Sequence, residues 1–175
     1  VSEHADTYKV LETGAVNWLE IAEGLQTSAK LSWDALWSLS NQPPAEVFRD
    51  RMAYMASFML LTAFAFENVC RGIATLTKEE GWKYLRKHGG GHKISHAVPE
   101  FVSVSDDELK LLKRLETYSV WAGRYLIPLD PKDYVSACED RLRTVRSMDR
   151  ALSDQLFARL KTQLEIHRLQ LDAAN

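Results

Sequence analysis

Glu67 and Arg71 stand four residues apart in FENVCRG, a spacing that puts a carboxylate and a guanidinium on one helical face. At a surface this is a modest helix-stabilising pair. On the most apolar stretch of the chain it needs a third group or a ligand to offset the cost of desolvation. A second constellation lies in WAGRY, where Trp121, Arg124 and Tyr125 share one face. Arg124 is either a cation at a helix C-terminus stacked on an aromatic neighbour, or a guanidinium held between aromatic walls to meet phosphate or carboxylate. Gly123 beside it costs a helix about 1 kcal/mol relative to alanine, which makes sense if another backbone approaches closely there. His92 and His96 flank KIS after three glycines. Their spacing suits a metal, but no acidic or sulfur ligand stands beside them, so no metal site is expected and His92 reads as the cap of a short helix. HGGGH has no preceding strand and no following Gly-Lys-Ser/Thr, which excludes a P-loop. Arg141, Arg143, Arg146, Arg150, Arg159, Lys161 and Arg168 form a basic run near the C-terminus. With few aromatic companions it reads as a solvated face rather than a nucleic-acid track.

The elements that must position these residues are helical. Three-and-four spacing predicts a first helix over about residues 8–39, broken by SNQPP, and a second over about 44–76 that is apolar nearly all round and therefore central. Residues 77–104 read as an excursion with one or two short helices and three consecutive glycines, expected to exchange amide hydrogens faster than the second helix. Ser105 and Glu108 form a capping-box pattern that opens a third helix, stopped near Leu126 by Pro128. Asp130 and Pro131 open a fourth, whose stripe runs through Leu142, Val145, Met148, Leu152, Leu156, Leu160, Leu164 and Leu171, with a kink or split expected around residues 147–153. No β-branched alternation or hairpin signal appears. The expected fold is all-α: an antiparallel four-helix bundle with one or two short extra helices inserted between the second and third long helices.

At 175 residues the chain fits a single domain, 1–175, and 46% hydrophobic residues are enough for a sizeable core. A net charge of −2 excludes a grossly polyanion-binding chain but not a local basic patch. Cys70 and Cys138 are the only cysteines and form no CxxC pair, so neither a disulfide scaffold nor a zinc site is expected, and a reducing cytoplasm is the default. The uncharged run from Met52 to Phe66 is short for a bilayer span, and no signal-peptide pattern opens the chain. A soluble cytoplasmic protein without cofactor or membrane contact is expected.

Taken in order, the pieces resemble the HEPN-like helical domains, and more narrowly an uncharacterised bacterial branch with a WAGRY signature. The resemblance rests on FENVCRG in an apolar second helix, GHKIS opening a short helix, and an SDDE-capped helix ending in WAGRY; it covers roughly residues 44–128. It implies an all-helical fold that pairs as a homodimer, in a family with many metal-independent RNases of toxin–antitoxin or defence systems. Glu67 and Arg71 would correspond to that family's supporting polar pair, and Arg124 to its motif arginine. The family's histidine four to six residues later is missing, because Leu129, Asp130 and Pro131 occupy those positions.

Three functions follow as expectations. The first is a non-catalytic HEPN-like module that binds nucleotide, RNA or a protein partner through Glu67, Arg71, Trp121, Arg124 and Tyr125, with His92 at the rim. The second is a metal-independent endoribonuclease in which His92 or His88 faces Arg124. The third is a purely structural dimerisation module. Enzymatic activity is left open by the broken motif at Arg124. The homodimer is expected to use the first or second helix, because five tryptophans and an apolar second helix exceed the needs of one bundle interior. Gly123 is expected to let the second helix approach the end of the third, bringing Arg124 beside Glu67.

Overall fold

A computed structural model describes residues 14–88, 92–123 and 130–174, apart from the side chains of His88, Trp121 and Ala174. Among these residues the regular structure is all helical, with no strand. Helix α1 spans Ala15–Ser38, α2 Pro44–Thr77, α3 Lys83–His88 and α4 Ile94–Ala97, extended by a 3-10 turn, Val98–Glu100. Helix α5 spans Asp106–Thr117 and widens into a π-turn, Tyr118–Ala122; α6 spans Pro131–Glu139 and α7 Asp149–Ala174.

The long helices bury much, but not all, of the stripes their periodicity predicts. In α1 the buried residues are Ala15, Leu19, Ala22, Gln26, Ala29, Trp33 and Leu36. This stripe packs along α2 with the chains antiparallel, since Trp33 meets Phe58 at 4.8 Å between ring centroids while Trp18 lies over Arg71. Leu156, Leu160 and Leu164 of α7 are fully buried, and Phe157 stacks on Phe66 of α2. Gly72 is where α1, α2 and α7 crowd: a Cβ there would sit 2.6 Å from Leu164 Cδ1 and 3.2 Å from Trp18 Cβ. The capping box of α5 forms, with Glu108 N–H donating to Ser105 Oγ and Ser105 N–H donating to Glu108 Oε2.

Three expectations need correction. The fourth long helix is not continuous: α6 ends at Glu139, residues 140–148 make an irregular turn, and α7 starts afresh at Asp149. The break comes earlier than expected because α6 closes with a Schellman motif, in which Leu142 N–H donates to Ala137 O and Arg141 N–H to Cys138 O. Arg141 takes the left-handed position (φ 54°) that glycine usually holds. Asp149 then starts α7 by accepting the Arg146 N–H on Oδ2 at 2.8 Å. Met148 is exposed rather than part of the core stripe.

Helix α2 is central only in its second half. Residues 58–74 are largely buried, whereas Phe48, Met52 and Tyr54 in the first half are exposed. This helix is long and apolar enough to cross a membrane by length and composition, with half of its most apolar window buried against the rest of the protein. Finally, the basic run is not simply solvated. Arg150 pairs with Asp34, Arg159 with Glu108, and Lys161 with Glu23, tying α7 to α1 and α5.

Candidate functional site

The second half of α2 carries Glu67 inward, 5% exposed among Phe66, Val69 and Cys70. A carboxylate so placed must be paired, and both of its oxygens are. Arg71, one turn on, donates to Oε1. His92 Nδ1 lies 2.8 Å from Oε2, across the excursion. An ionised carboxylate only accepts, so Nδ1 carries the proton and Nε2 is left to face outward from a ring that is 47% exposed. Lys93 holds the N-cap position of α4 and His92 does not, so the capping role expected for His92 gives way to this pairing. With α4 starting at Ile94, His92 and His96 do not share a helical face; among the described residues no group of three His, Cys, Asp or Glu comes together that could hold a metal.

Two indoles pack against Arg71. Its guanidinium carbon lies 5.5 Å from the ring centroid of Trp18 on α1 and 5.5 Å from that of Trp82 in the turn after α2. The two indoles are 6.1 Å apart. Trp82 reaches this place because α2 ends at Thr77 and the chain reverses at once, with Gly81 at φ 59° and its N–H bonded to Lys78 O. A planar cation packed against two neighbouring indoles and held by a buried carboxylate is fixed in orientation. It lines a cleft of about 300 Å³ together with Trp82, Leu85, Arg86 and His92. Arg86, on α3, is exposed and makes no ion pair among the described residues. The cleft therefore holds Arg71 and Arg86 against Glu67, a surplus of one positive charge, and two when His92 is protonated.

Cys70, three residues after Glu67, is no nucleophile. Burial first, and then the charges of Glu100 and Glu67, push its thiol far above the usual range, so it stays protonated in the core.

The structure thus joins Glu67, Arg71 and His92 of the six site residues expected from sequence. Arg124 and Tyr125, and the side chain of Trp121, lie outside the described residues, as do the three glycines 89–91. Gly123 is described and does what its type suggested. Its backbone packs on α2, where a Cβ would come 3.2 Å from Leu60 Cβ and 2.8 Å from Tyr118 O. The approach is to Leu60, which stands about 10 Å along the axis from Glu67 at 1.5 Å per residue. Trp18, Trp82 and Arg86 were not anticipated. Trp18 reads in sequence as one more core position of the first helix; the signal for Trp82 is a lone tryptophan after glycine in the otherwise charged KEEGWK.

No protein-family model matches the chain, and no match was found among curated proteins or solved structures.

Proposed function

We propose that the chain is a non-catalytic module that binds phosphate-bearing nucleotide or RNA in the cleft between α2, α3 and the residues before α4. The observation that carries this reading is the fixed Arg71 guanidinium, packed on Trp18 and Trp82 and bonded to Glu67, beside Arg86, which makes no ion pair among the described residues. A guanidinium already oriented loses little entropy on meeting phosphate, and the half-buried Trp82 in the cleft wall offers a base an aromatic surface. In this reading the four long helices are an antiparallel four-helix bundle of the HEPN-like class, a single cytoplasmic domain over 1–175. It works as a homodimer through the exposed apolar face of α1 and α2, where Trp37, Phe48 and Met52 line a groove of about 320 Å³. A protein partner is the competing occupant. Native mass spectrometry of the purified protein tests the choice. A nucleotide-sized adduct that disappears in Arg71→Gln supports it; an adduct-free protein that also ignores a panel of nucleotides and short RNAs defeats it.

One observation favours a second reading, a metal-independent endoribonuclease. Glu67 fixes the His92 ring by Nδ1, which leaves Nε2 able to take the proton of a ribose 2′-hydroxyl as that oxygen attacks the adjacent phosphorus. The 5′-oxygen of the next nucleotide leaves and takes a proton from water, giving a 2′,3′-cyclic phosphate, while Arg71 or Arg86 meets the charge that builds on the phosphorane. RNA cleavage that ends in cyclic phosphate and vanishes in His92→Gln would establish this reading in place of the first.

A further inference from the structure

Arg150, Arg159 and Lys161 of the basic run reach across from α7 to acids on neighbouring helices, but Arg146, in the turn before α7, does not. Its guanidinium makes no ion pair among the described residues, and it lines a cleft of about 340 Å³ with Lys110, Lys113, Arg114, Leu142 and Asp140. This cleft lies between α5 and the turn that leads into α7, and shares no lining residue with the Arg71 cleft.

Its wall includes a buried cation. The Arg114 side chain is 3% exposed, pairs with Asp149, and has an Nε with no hydrogen-bond partner. Each oxygen of Asp149 already has a donor, Oδ1 accepting from Arg114 and Oδ2 from the Arg146 N–H. Its single negative charge balances one guanidinium and not two. Burial lowers the proton affinity of Arg114, and the positive charge of Arg146 lowers it further against the attraction of Asp149. Two guanidinium groups are therefore close enough to repel. The cations Lys110, Lys113, Arg114 and Arg146 face Asp140 and Asp149, with Asp107 holding Lys110 at 3.2 Å. Four positive charges against three negative leave one in surplus, and neither Lys113 nor Arg146 makes an ion pair among the described residues.

We propose that this cleft is a second, separate anion site, built for a dianionic phosphate group bound by Lys113, Arg146 and Arg114. Phosphate answers the surplus charge and supplies the acceptors that crowded guanidinium and ammonium groups lack.

Amide chemical shifts, followed by two-dimensional NMR while inorganic phosphate is titrated at constant ionic strength against chloride, read the two clefts separately. The expected result is saturable shifts at Lys113, Arg114 and Arg146 that chloride does not reproduce. In the double variant Lys113→Gln/Arg146→Gln the apparent Kd at these amides should rise at least tenfold. Both side chains are exposed, so the fold should persist, and unchanged dispersion of the core amides checks this. Phenyl phosphate run beside inorganic phosphate identifies the source: tighter binding of the ester points to a phosphomonoester on a larger molecule, tighter binding of the ion to free phosphate. Shifts that chloride matches, or an affinity the double variant retains, would overturn the proposal. Neither result bears on the Arg71 cleft, whose own amides report independently.

Discussion

Replacing Arg114 by methionine, close to it in length and volume, should strand the carboxylate of Asp149. Asp149 is fully buried, and in the wild type it keeps one partner on each oxygen. Without Arg114 it can remain ionised, at the cost of about 3–5 kcal/mol typical of a broken buried pair. It can instead take up a proton, which at pH 7 costs about 4 kcal/mol for a group with an ordinary pKa near 3.9, at roughly 1.4 kcal/mol per unit. Burial already raises the Asp149 pKa in the wild type despite Arg114 and the Arg146 N–H, so the protonation route costs less than that ceiling. The expected loss is therefore about 2–4 kcal/mol at pH 7. The sign of its pH dependence follows. A carboxyl with a raised folded pKa binds more protons when folded, so the variant regains stability as pH falls toward the unfolded value, at up to about 1.4 kcal/mol per unit. Adding Asp149→Asn removes the charge but keeps an acceptor for Arg146 N–H, and should restore all but about 1 kcal/mol with a flat pH profile. Urea unfolding followed by far-UV circular dichroism at pH 5, 6 and 7 measures all of this. A loss below about 1 kcal/mol for Arg114→Met, or one that does not shrink at pH 5, would refute the reasoning.

Gly123→Ala should destabilise by about 1–3 kcal/mol, against the gain of about 1 kcal/mol that alanine normally brings to a helix, because its Cβ would clash with Leu60 and Tyr118 O; thermal melting gives the sign. Phe48→Glu puts a charge on the exposed α2 face, where Phe48 is 66% exposed, and should yield a monomer of unchanged helicity in sedimentation velocity. A wild type already monomeric at micromolar concentration would remove the dimer from the account. Burial pushes the Glu108 carboxyl up, but hydrogen bonds from Arg159 and Ser105 hold it below the usual carboxylate range. It therefore adds stability above its unfolded pKa that is lost as pH falls through its folded one. Glu108→Gln should lose stability at pH 7 and show a shallower acid limb in denaturant unfolding below pH 5.

Local rules carried the sequence reading where one residue decides the outcome. The prolines at 43 and 44, Ser105 with Glu108, and Asp130 before Pro131 each mark a helix start that the structure keeps within a residue. Periodicity also picked the buried stripe of α1, since helix geometry alone fixes which residues share a face. It failed over residues 140–148, where Leu142 and Val145 continue the apolar spacing although Arg141 adopts a left-handed conformation that its residue type does not announce. The site was half legible. Glu67 and Arg71 are readable because their spacing brings them together on any helix. His92, Trp18 and Trp82 arrive from three separate segments, and their meeting at Arg71 and Glu67 depends on how tightly the chain turns at Gly81. That is tertiary information, which no spacing rule holds.

The central claim, that the Arg71 cleft binds the phosphate of a nucleotide or RNA, is tested most directly by fluorescence anisotropy of a labelled single-stranded RNA across a salt series. Arg86 is exposed and makes no ion pair among the described residues, so Arg86→Gln removes a phosphate contact without touching the core. The wild type should bind saturably, and Arg86→Gln should weaken binding and reduce the slope of log K against log salt by about 0.7, one phosphate contact on a single strand. Arg71→Gln should weaken it further. Absence of saturable binding, or wild-type affinity and slope in both variants, would contradict the account.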